Sequence, residues 1–444
     1  MTRKVALWLP AAAGTEALLA AEVQRLCACP AEAGRGGVTV EGDEHTVMQL
    51  NLHSRLAQRV LWPLTQGPYH HEDDLYELAR QVPWADWITP QQTLRVDVHA
   101  QQSPLRSLNF AALRVKDAVC DRLRAELGAR PDVDTHHPDL PLVLYLGAEQ
   151  ASLYVDTSGE ALFKRGWRDV KAGKGEAPLK ETLAAAMLAA AGWQGRAEDG
   201  PLLDPCCGAG TIAIEAAQLA CGIPPGQARH FAFERLVAFR SQLPAWRDLQ
   251  QAAREQVHAS EVPIFAGDVS FRMTDFATRN AERAGVGAVI EFKTADALQR
   301  LPPAARGTMM LNPPYGERIA PKGRGSVVDR RRAAPAHDAG RESFEGASSA
   351  AEFHAALAAH WKRHYAGWTA WLLSPDPKLP SMMRLKESRR VPLWNGPLEC
   401  RLLRFDLVAG SNRGVTPTPA VNPTTNPTIN PPTAAGPASP ATPH

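Results

Sequence analysis

Short apolar runs parted by turn residues open the chain. Lys4 to Leu9 reads as a buried strand, Thr15 to Leu26 as a helix, Gly36-Gly-Val-Thr-Val-Glu-Gly as an alternating strand, and Asp43 to Leu52 as a helix capped by its first aspartate. Strand, helix, strand, helix predicts a compact α+β unit over residues 1–62. A second unit is expected over 63–160. It begins with an acidic-capped helix at 72–80 and an alternating strand from Thr93 to Ala100. Phe110, Leu113, Val119, Leu123 and Leu127 then fall near helical spacing, and two strands follow, Leu142–Leu146 and Ser152–Asp156, separated by Gly147-Ala-Glu-Gln.

From about residue 161 the rhythm changes. A basic, glycine-bearing stretch at 163–177 has the composition of a linker or a substrate-facing loop. Pro178 to Ala191 reads as a helix, Pro201–Leu203 as a short buried strand and Thr211 to Ala220 as a helix. Val262–Ala266, Val289–Phe292 and Thr308–Leu311 recur as short apolar runs with helices between them. This alternation predicts an α/β fold with a mainly parallel, doubly wound sheet over residues 161–408. Residues 321–350, rich in Gly, Ser, Ala and Arg, read as a basic insertion into it. Residues 409–444, with nine prolines and almost no large apolar side chains, lack the surface needed to order themselves.

Composition narrows the class. A chain of 444 residues, 22% charged and 44% hydrophobic, is long enough for two or three cores. It has no apolar run of eighteen residues, so no membrane-spanning helix is expected and the chain reads as soluble. The basic start followed by alanines resembles a secretory leader, but Pro10 and Glu16 interrupt the apolar stretch too early. Seven cysteines without a CxxC pair suggest neither a disulfide framework nor a metal site, which suits a reducing cytoplasm. The net charge of +2 points to no partner. Local clusters do: Lys164, Arg165, Arg168, Lys171, Lys174 and Lys180 form one, and Arg330, Arg331 and Arg332 another.

The first chemical constellation is Leu202-Leu-Asp-Pro-Cys-Cys-Gly-Ala-Gly-Thr, a strand ending in an acid, a turn through two glycines, and a helix. Gly208 and Gly210 let a ligand approach the backbone, and the free amides of the next helix favour an anion. The Gly-Lys-Ser/Thr of a phosphate-binding loop is missing, whereas a dinucleotide-type GxGxxA is formally present at Gly208, Gly210 and Ala213. Asp204 tips the balance. A carboxylate at the strand tip repels a pyrophosphate but accepts a hydrogen bond from an ammonium, which favours S-adenosylmethionine. Asp268, at the tip of the next strand, is placed for the ribose hydroxyls, with Glu234 its rival if the ligand were NAD. Asp296 follows the third strand and is placed for the adenine amino group.

Leu311-Asn-Pro-Pro-Tyr-Gly-Glu-Arg follows the fourth strand. An exocyclic amine conjugated to a base is a weak nucleophile, because its lone pair is delocalised. The Asn312 side-chain oxygen and the Pro313 carbonyl can accept its two hydrogens and aim that lone pair, with Pro314 shaping the turn and Tyr315 stacking on the flat group. Beside such a site, Lys164, Arg165 and Arg168 are expected to contact RNA phosphates. The paired histidines at 70–71 and 136–137 read as surface residues, and Trp361, Trp368 and Trp371 as core.

These segments, in order, resemble a known family: bacterial THUMP-domain class I RNA methyltransferases of the 23S rRNA guanine-N2 type. The resemblance covers about residues 1–408. It is carried by Gly37-Val-Thr-Val-Glu-Gly, Asn109-Phe-Ala-Ala-Leu-Arg-Val-Lys-Asp-Ala, Lys164-Arg-Gly-Trp-Arg, Ala177-Pro-Leu-Lys-Glu, Asp204-Pro-Cys-Cys-Gly-Ala-Gly-Thr, Asn312-Pro-Pro-Tyr-Gly-Glu-Arg and Leu398-Glu-Cys-Arg-Leu. It implies a ferredoxin-like unit and a THUMP unit that capture structured RNA, ahead of a Rossmann-like S-adenosylmethionine-dependent sheet domain. It further implies that Asp204, Cys206, Gly208 and Gly210 hold the methionyl end, Asp268 the ribose and Asp296 the adenine, without a metal. Cys206 stands where the family usually has methionine, and Ser270 where a second acid often follows. No second glycine loop follows, so one reaction is expected. The competing readings are a tRNA guanine-N2 methyltransferase, a non-catalytic RNA-binding or ribosome-assembly factor, and an amino-methyltransferase of DNA adenine or a protein amide.

Overall fold

The computed structural model describes residues 4–168, 179–313 and 350–409. Most of the 163–177 stretch beyond Arg168, most of the 321–350 segment including Arg330 to Arg332, and residues 410–444 lie outside these.

The chain begins with β1 (Val5–Pro10), α1 (Glu16–Cys27), β2 (Ala31–Gly34), β3 (Gly37–Gly42) and α2 (Glu44–His53). Asp43 caps α2 as its position suggests, its Oδ1 accepting from the Thr46 amide at 3.0 Å. There follow β4 (Leu61–Pro68), α3 (Glu72–Arg80), β5 (Thr93–Ala100), α4 (Leu108–Leu127), β6 (Asp132–Val133), β7 (Leu140–Leu146) and β8 (Gln150–Asp156). Ser107 caps α4 through the Phe110 amide at 3.2 Å, and Gly128 ends it in the left-handed region.

These eight strands form one sheet in the order β2-β3-β1-β4-β8-β7-β5-β6. Trp8 of β1 pairs with Leu61 of β4, so the two α+β units share a hydrogen-bonded sheet. β7 is buried from Leu140 through Leu144, which explains its unbroken apolar run: both faces are covered.

The second half contains α5 (Glu181–Ala191), β9 (Leu202–Asp204), α6 (Thr211–Ala220), α7 (Leu243–Glu255), β10 (Ile264–Asp268), α8 (Phe271–Arg283), β11 (Ile290–Thr294) and β12 (Gly307–Leu311). It is completed by α9 (Ala350–His364), β13 (Trp368–Ser374), α10 (Leu379–Met383), β14 (Arg389–Asn395) and β15 (Leu398–Asp406). Its sheet runs β11-β10-β9-β12-β13-β15-β14, parallel from β11 to β13, with β15 antiparallel to both its neighbours. β9 has β10 on one side and β12 on the other, so the winding direction reverses there. The crevice beyond its carboxyl end is the topological switch point, where such sheets bind ligands. Trp361, Trp368 and Trp371 are core residues, as their spacing suggests.

The halves are joined by side chains as well as by the chain. Phe231, Phe233, Phe239 and Trp246, which lie between α6 and the end of α7, belong to the core of the first sheet. Phe233 meets Trp246 edge-on at 5.0 Å, and Phe239 meets Trp62 at 6.1 Å. Gly226 donates its amide to the Leu52 carbonyl at 2.9 Å. A Cβ there would lie 2.7 Å from the Asn51 carbonyl oxygen, so only glycine allows the approach. Deeper in the join, the fully buried Glu215 of α6 accepts from Arg55 Nη1 at 3.4 Å and from Arg165 Nε at 3.0 Å. Arg165 also donates to the Arg55 carbonyl at 2.7 Å and the Leu162 carbonyl at 2.9 Å. Among the described residues no helix is long and apolar enough to cross a membrane.

Candidate active site

The site is built on the carboxyl ends of β9, β10, β11 and β12. Leu202 and Leu203 anchor β9 in the core, which carries Asp204 down to 1% exposure at the strand tip. Its Oδ1 accepts from the Cys206 amide at 3.3 Å, while Oδ2 is buried with no hydrogen-bond partner among the described residues. Burial pushes its carboxyl up to about 8. The nearby Asp268 charge pushes the same way, against the Cys206 amide and the Arg300 guanidinium.

The loop after Asp204 turns through left-handed backbone at Gly208 (φ +51°) and Gly210 (φ +82°). A Cβ on Gly208 would meet nothing within 4 Å, so this stretch of backbone faces open space a ligand can enter. The loop is held from behind. The Cys207 amide donates to the Gly267 carbonyl at 2.7 Å, the Gly208 amide to Asp268 Oδ2 at 3.0 Å, and Asn280 Nδ2 of α8 to the Ala209 carbonyl at 3.0 Å. Cys206 is half-buried and packs against the core under β12 and β13.

Asp268 is 1% exposed, and burial raises its pKa. Its Oδ1 accepts from the Ser270 amide at 2.9 Å. Ser270, where a second acid often stands in the family, instead caps α8 through the Met273 amide at 3.4 Å. The Ala295 amide donates to the Asp268 carbonyl at 3.0 Å, tying the β11 tip to the β10 tip and bringing in Asp296, whose Oδ1 accepts from the Leu298 amide at 2.8 Å.

On the other side of β9, Met309 of β12 lies opposite Leu203, so Asn312 sits two residues beyond the level of Asp204. Asn312 Oδ1 is buried and has no hydrogen-bond partner among the described residues, and Pro313 is buried beside it. Pro314 and Tyr315 lie outside the described residues. The strand tips therefore carry two buried acceptors that no described residue satisfies, Asp204 Oδ2 and Asn312 Oδ1, at the ends of neighbouring strands.

Of the described cations in the basic run, Arg165 and Arg168 are engaged inside the protein. Lys164 is exposed, 2.9 Å from Glu160. The side chain of Arg165 is 2% exposed and committed to Glu215, so it does not meet RNA. A buried carboxylate fifty residues away captures it, which no local composition reveals. Arg168 is turned inward, with Nε on Glu181 Oε1 and Nη2 on Thr211 Oγ1, each at 2.9 Å. Two contributors escaped the sequence reading. Arg300, whose charge acts on Asp204 and whose Nη1 donates to the Ala266 carbonyl at 2.9 Å, carries no local signal. Asn280, a fully buried polar residue between Ala277 and Ala281 on the apolar face of α8, does carry one.

A doubly wound sheet with an antiparallel strand inserted near one edge, an acid–glycine loop at its switch point and an Asn-Pro pair just past the neighbouring strand define a class I methyltransferase fold. Family models agree along the chain: a RlmL ferredoxin-like domain matches residues 6–61, a THUMP domain 69–156 and a RMKL-like methyltransferase domain 165–330. The chain thus carries, in order, the domains of THUMP-bearing, RMKL-like methyltransferases. It is 35% identical over 416 residues to the Ribosomal RNA large subunit methyltransferase K/L of Syntrophotalea carbinolica, covering 92% of this chain and 54% of that protein. The namesake from Psychromonas ingrahamii is 34% identical over 405 residues, 90% of this chain and 50% of the relative. The chain thus spans about half the length of these curated relatives. Among solved structures, SMU.472, assigned as a methyltransferase and crystallised in complex with SAH, is 25% identical. It superposes with a TM-score of 0.77 over 92% of this chain and 99% of its own. A Listeria monocytogenes protein described as an N6-adenine-specific DNA methylase is 26% identical, with a TM-score of 0.76 over 91% of this chain and 97% of its own.

Proposed function

We propose that this chain transfers a methyl group from S-adenosylmethionine to the exocyclic N2 amine of a guanine in 23S rRNA, in the reducing cytoplasm. The observation that carries the reading is the pair of buried acceptors without donors on adjacent strand tips. One is suited to the cofactor's ammonium and the other to the target's amine. The cofactor supplies a methyl group made electrophilic by its sulfonium. The residues fit it: Asp204 Oδ2 takes the ammonium, Gly208 and Gly210 open the backbone beside it, and Cys206 lies along that loop. Asp268 receives the ribose and Asp296 the adenine.

Asn312 Oδ1 and the Pro313 carbonyl accept the two N2 hydrogens, turning the nitrogen lone pair toward the methyl, and the motif's Pro314 and Tyr315 are assigned to the target base with them. No strong base is needed before attack, because the alkylated amine sheds its proton readily. Residues 1–62 form the ferredoxin-like unit and 63–160 the THUMP unit that captures structured RNA, and Lys164 remains a phosphate contact. Residues 161–408 form the catalytic domain. The rRNA assignment rests on the curated relatives.

Mass spectrometry of nucleosides from unmodified 23S rRNA and tRNA, each incubated with the protein and labelled S-adenosylmethionine, tests this. Label in N2-methylguanosine from 23S rRNA alone is expected. Label in tRNA alone would overturn the substrate, and label in neither RNA nor an assembly precursor would return the chain to a non-catalytic role.

A further inference from the structure

We infer that Arg168, with Thr211, is the receptor for the carboxylate of the cofactor's methionyl group. The inference rests on the S-adenosylmethionine reading and extends it to a group that the acid–glycine loop leaves unmatched. The ammonium and the carboxylate of a methionyl group sit on the same carbon. A site that offers Asp204 to the ammonium must therefore offer donors to the carboxylate close by, or the two carboxylates repel each other.

The donors converge at the start of α6. This ten-residue helix follows Gly210 directly, and its first amides have no acceptor within the helix. Thr211, its first residue, is 4% exposed. Its hydroxyl oxygen accepts from Arg168 Nη2 at 2.9 Å, which leaves the hydroxyl hydrogen for another acceptor. Arg168 Nε is fixed on Glu181 Oε1 at 2.9 Å, Nη2 also reaches the Leu179 carbonyl at 3.4 Å, and Nη1 makes no hydrogen bond to a described residue. The guanidinium lies over the Trp167 ring, 5.1 Å from its centroid. Trp167 is 2% exposed, belongs to the same core cluster as Cys207 and Ile212 of the loop and helix, and so fixes the guanidinium from below. A buried hydroxyl with an unspent hydrogen and a guanidinium held in place at a helix N-terminus supply the donors that a carboxylate needs. Glu181 aims the fork and leaves one terminal nitrogen for a ligand.

The test is calorimetric binding of S-adenosylmethionine and of its decarboxylated form, which keeps the ammonium, to the full chain and to Arg168→Gln and Arg168→Lys. The native protein is expected to prefer the intact cofactor by about 10–100-fold. Arg168→Gln should erase that preference by weakening the intact cofactor while leaving the decarboxylated one within about twofold. Arg168→Lys keeps a cation beside Glu181 and guards against misfolding, and it should give an intermediate preference. Equal weakening of both ligands would mean that Arg168 only braces the fold, and no change in either would remove it from the site. Each result overturns the inference while leaving the function intact. A native protein that binds neither ligand would instead overturn the cofactor reading itself.

Discussion

Replacing Asp204 with asparagine should make the protein more stable while abolishing cofactor binding. The carboxyl, ordinarily near 3.8, is pushed up to about 8, chiefly by burial. Between those values the folded chain holds a proton that the unfolded chain has released, so stability falls as pH rises through the window. At about 1.4 kcal/mol per pH unit, the shift destabilises the native state by roughly 2 kcal/mol at pH 5 and roughly 4 kcal/mol at pH 7. Asparagine carries no titration. It keeps an oxygen for the Cys206 amide and places an amide nitrogen where Oδ2 had no partner. Unfolding midpoints measured from pH 5 to pH 8 should therefore diverge, with the variant gaining over the native protein as pH rises. Asp156 and Glu181, also raised by burial, slope in the same sense in both proteins and cancel in the comparison. A gap that stays constant with pH would refute the argument. Because the ammonium draws out the ionised carboxylate, cofactor binding near pH 7 should also release a proton. Calorimetry in buffers of different ionisation enthalpy reads this directly.

Arg165→Ala strands Glu215 in the join with Arg55 as its remaining partner and should lose about 3–5 kcal/mol of stability in denaturant melts. A loss confined to RNA affinity would restore Arg165 to the surface role its composition suggests. Asn312→Ala should lower the rate of methyl transfer by about 100-fold or more. Its affinity for S-adenosylhomocysteine should stay near native, and an equal fall in affinity would place Asn312 with the cofactor instead.

The elements of both sheets were legible where periodicity and punctuation agreed. Asp43 and Ser107 start helices where a short polar residue precedes an apolar run, and Asp204 to Thr211 announces a strand, turn and helix within ten residues. The strand-tip aspartates were legible for the same reason, since each closes a short apolar run. Arg165 was not, because a basic stretch says nothing about which cations a distant buried carboxylate will capture. Nor was the destination of Phe231, Phe233 and Phe239: their aromaticity marks a core, yet nothing nearby indicates that the core belongs to β4 and β7 rather than to the sheet they interrupt. Hydrogen bonds such as Gly226 to Leu52 join positions far apart in the chain, which local pattern cannot register.

That aromatic crossing welds the two described sheets together. The eight-stranded and the seven-stranded sheet are tied by Phe233, Trp246 and the Arg55–Glu215–Arg165 knot, so one cannot shift against the other without exposing rings and stranding charge. On the proposed function, the nucleotide offered to Asn312 would be set by its distance from the first sheet, and changing that span would mean recutting the joint rather than lengthening a tether.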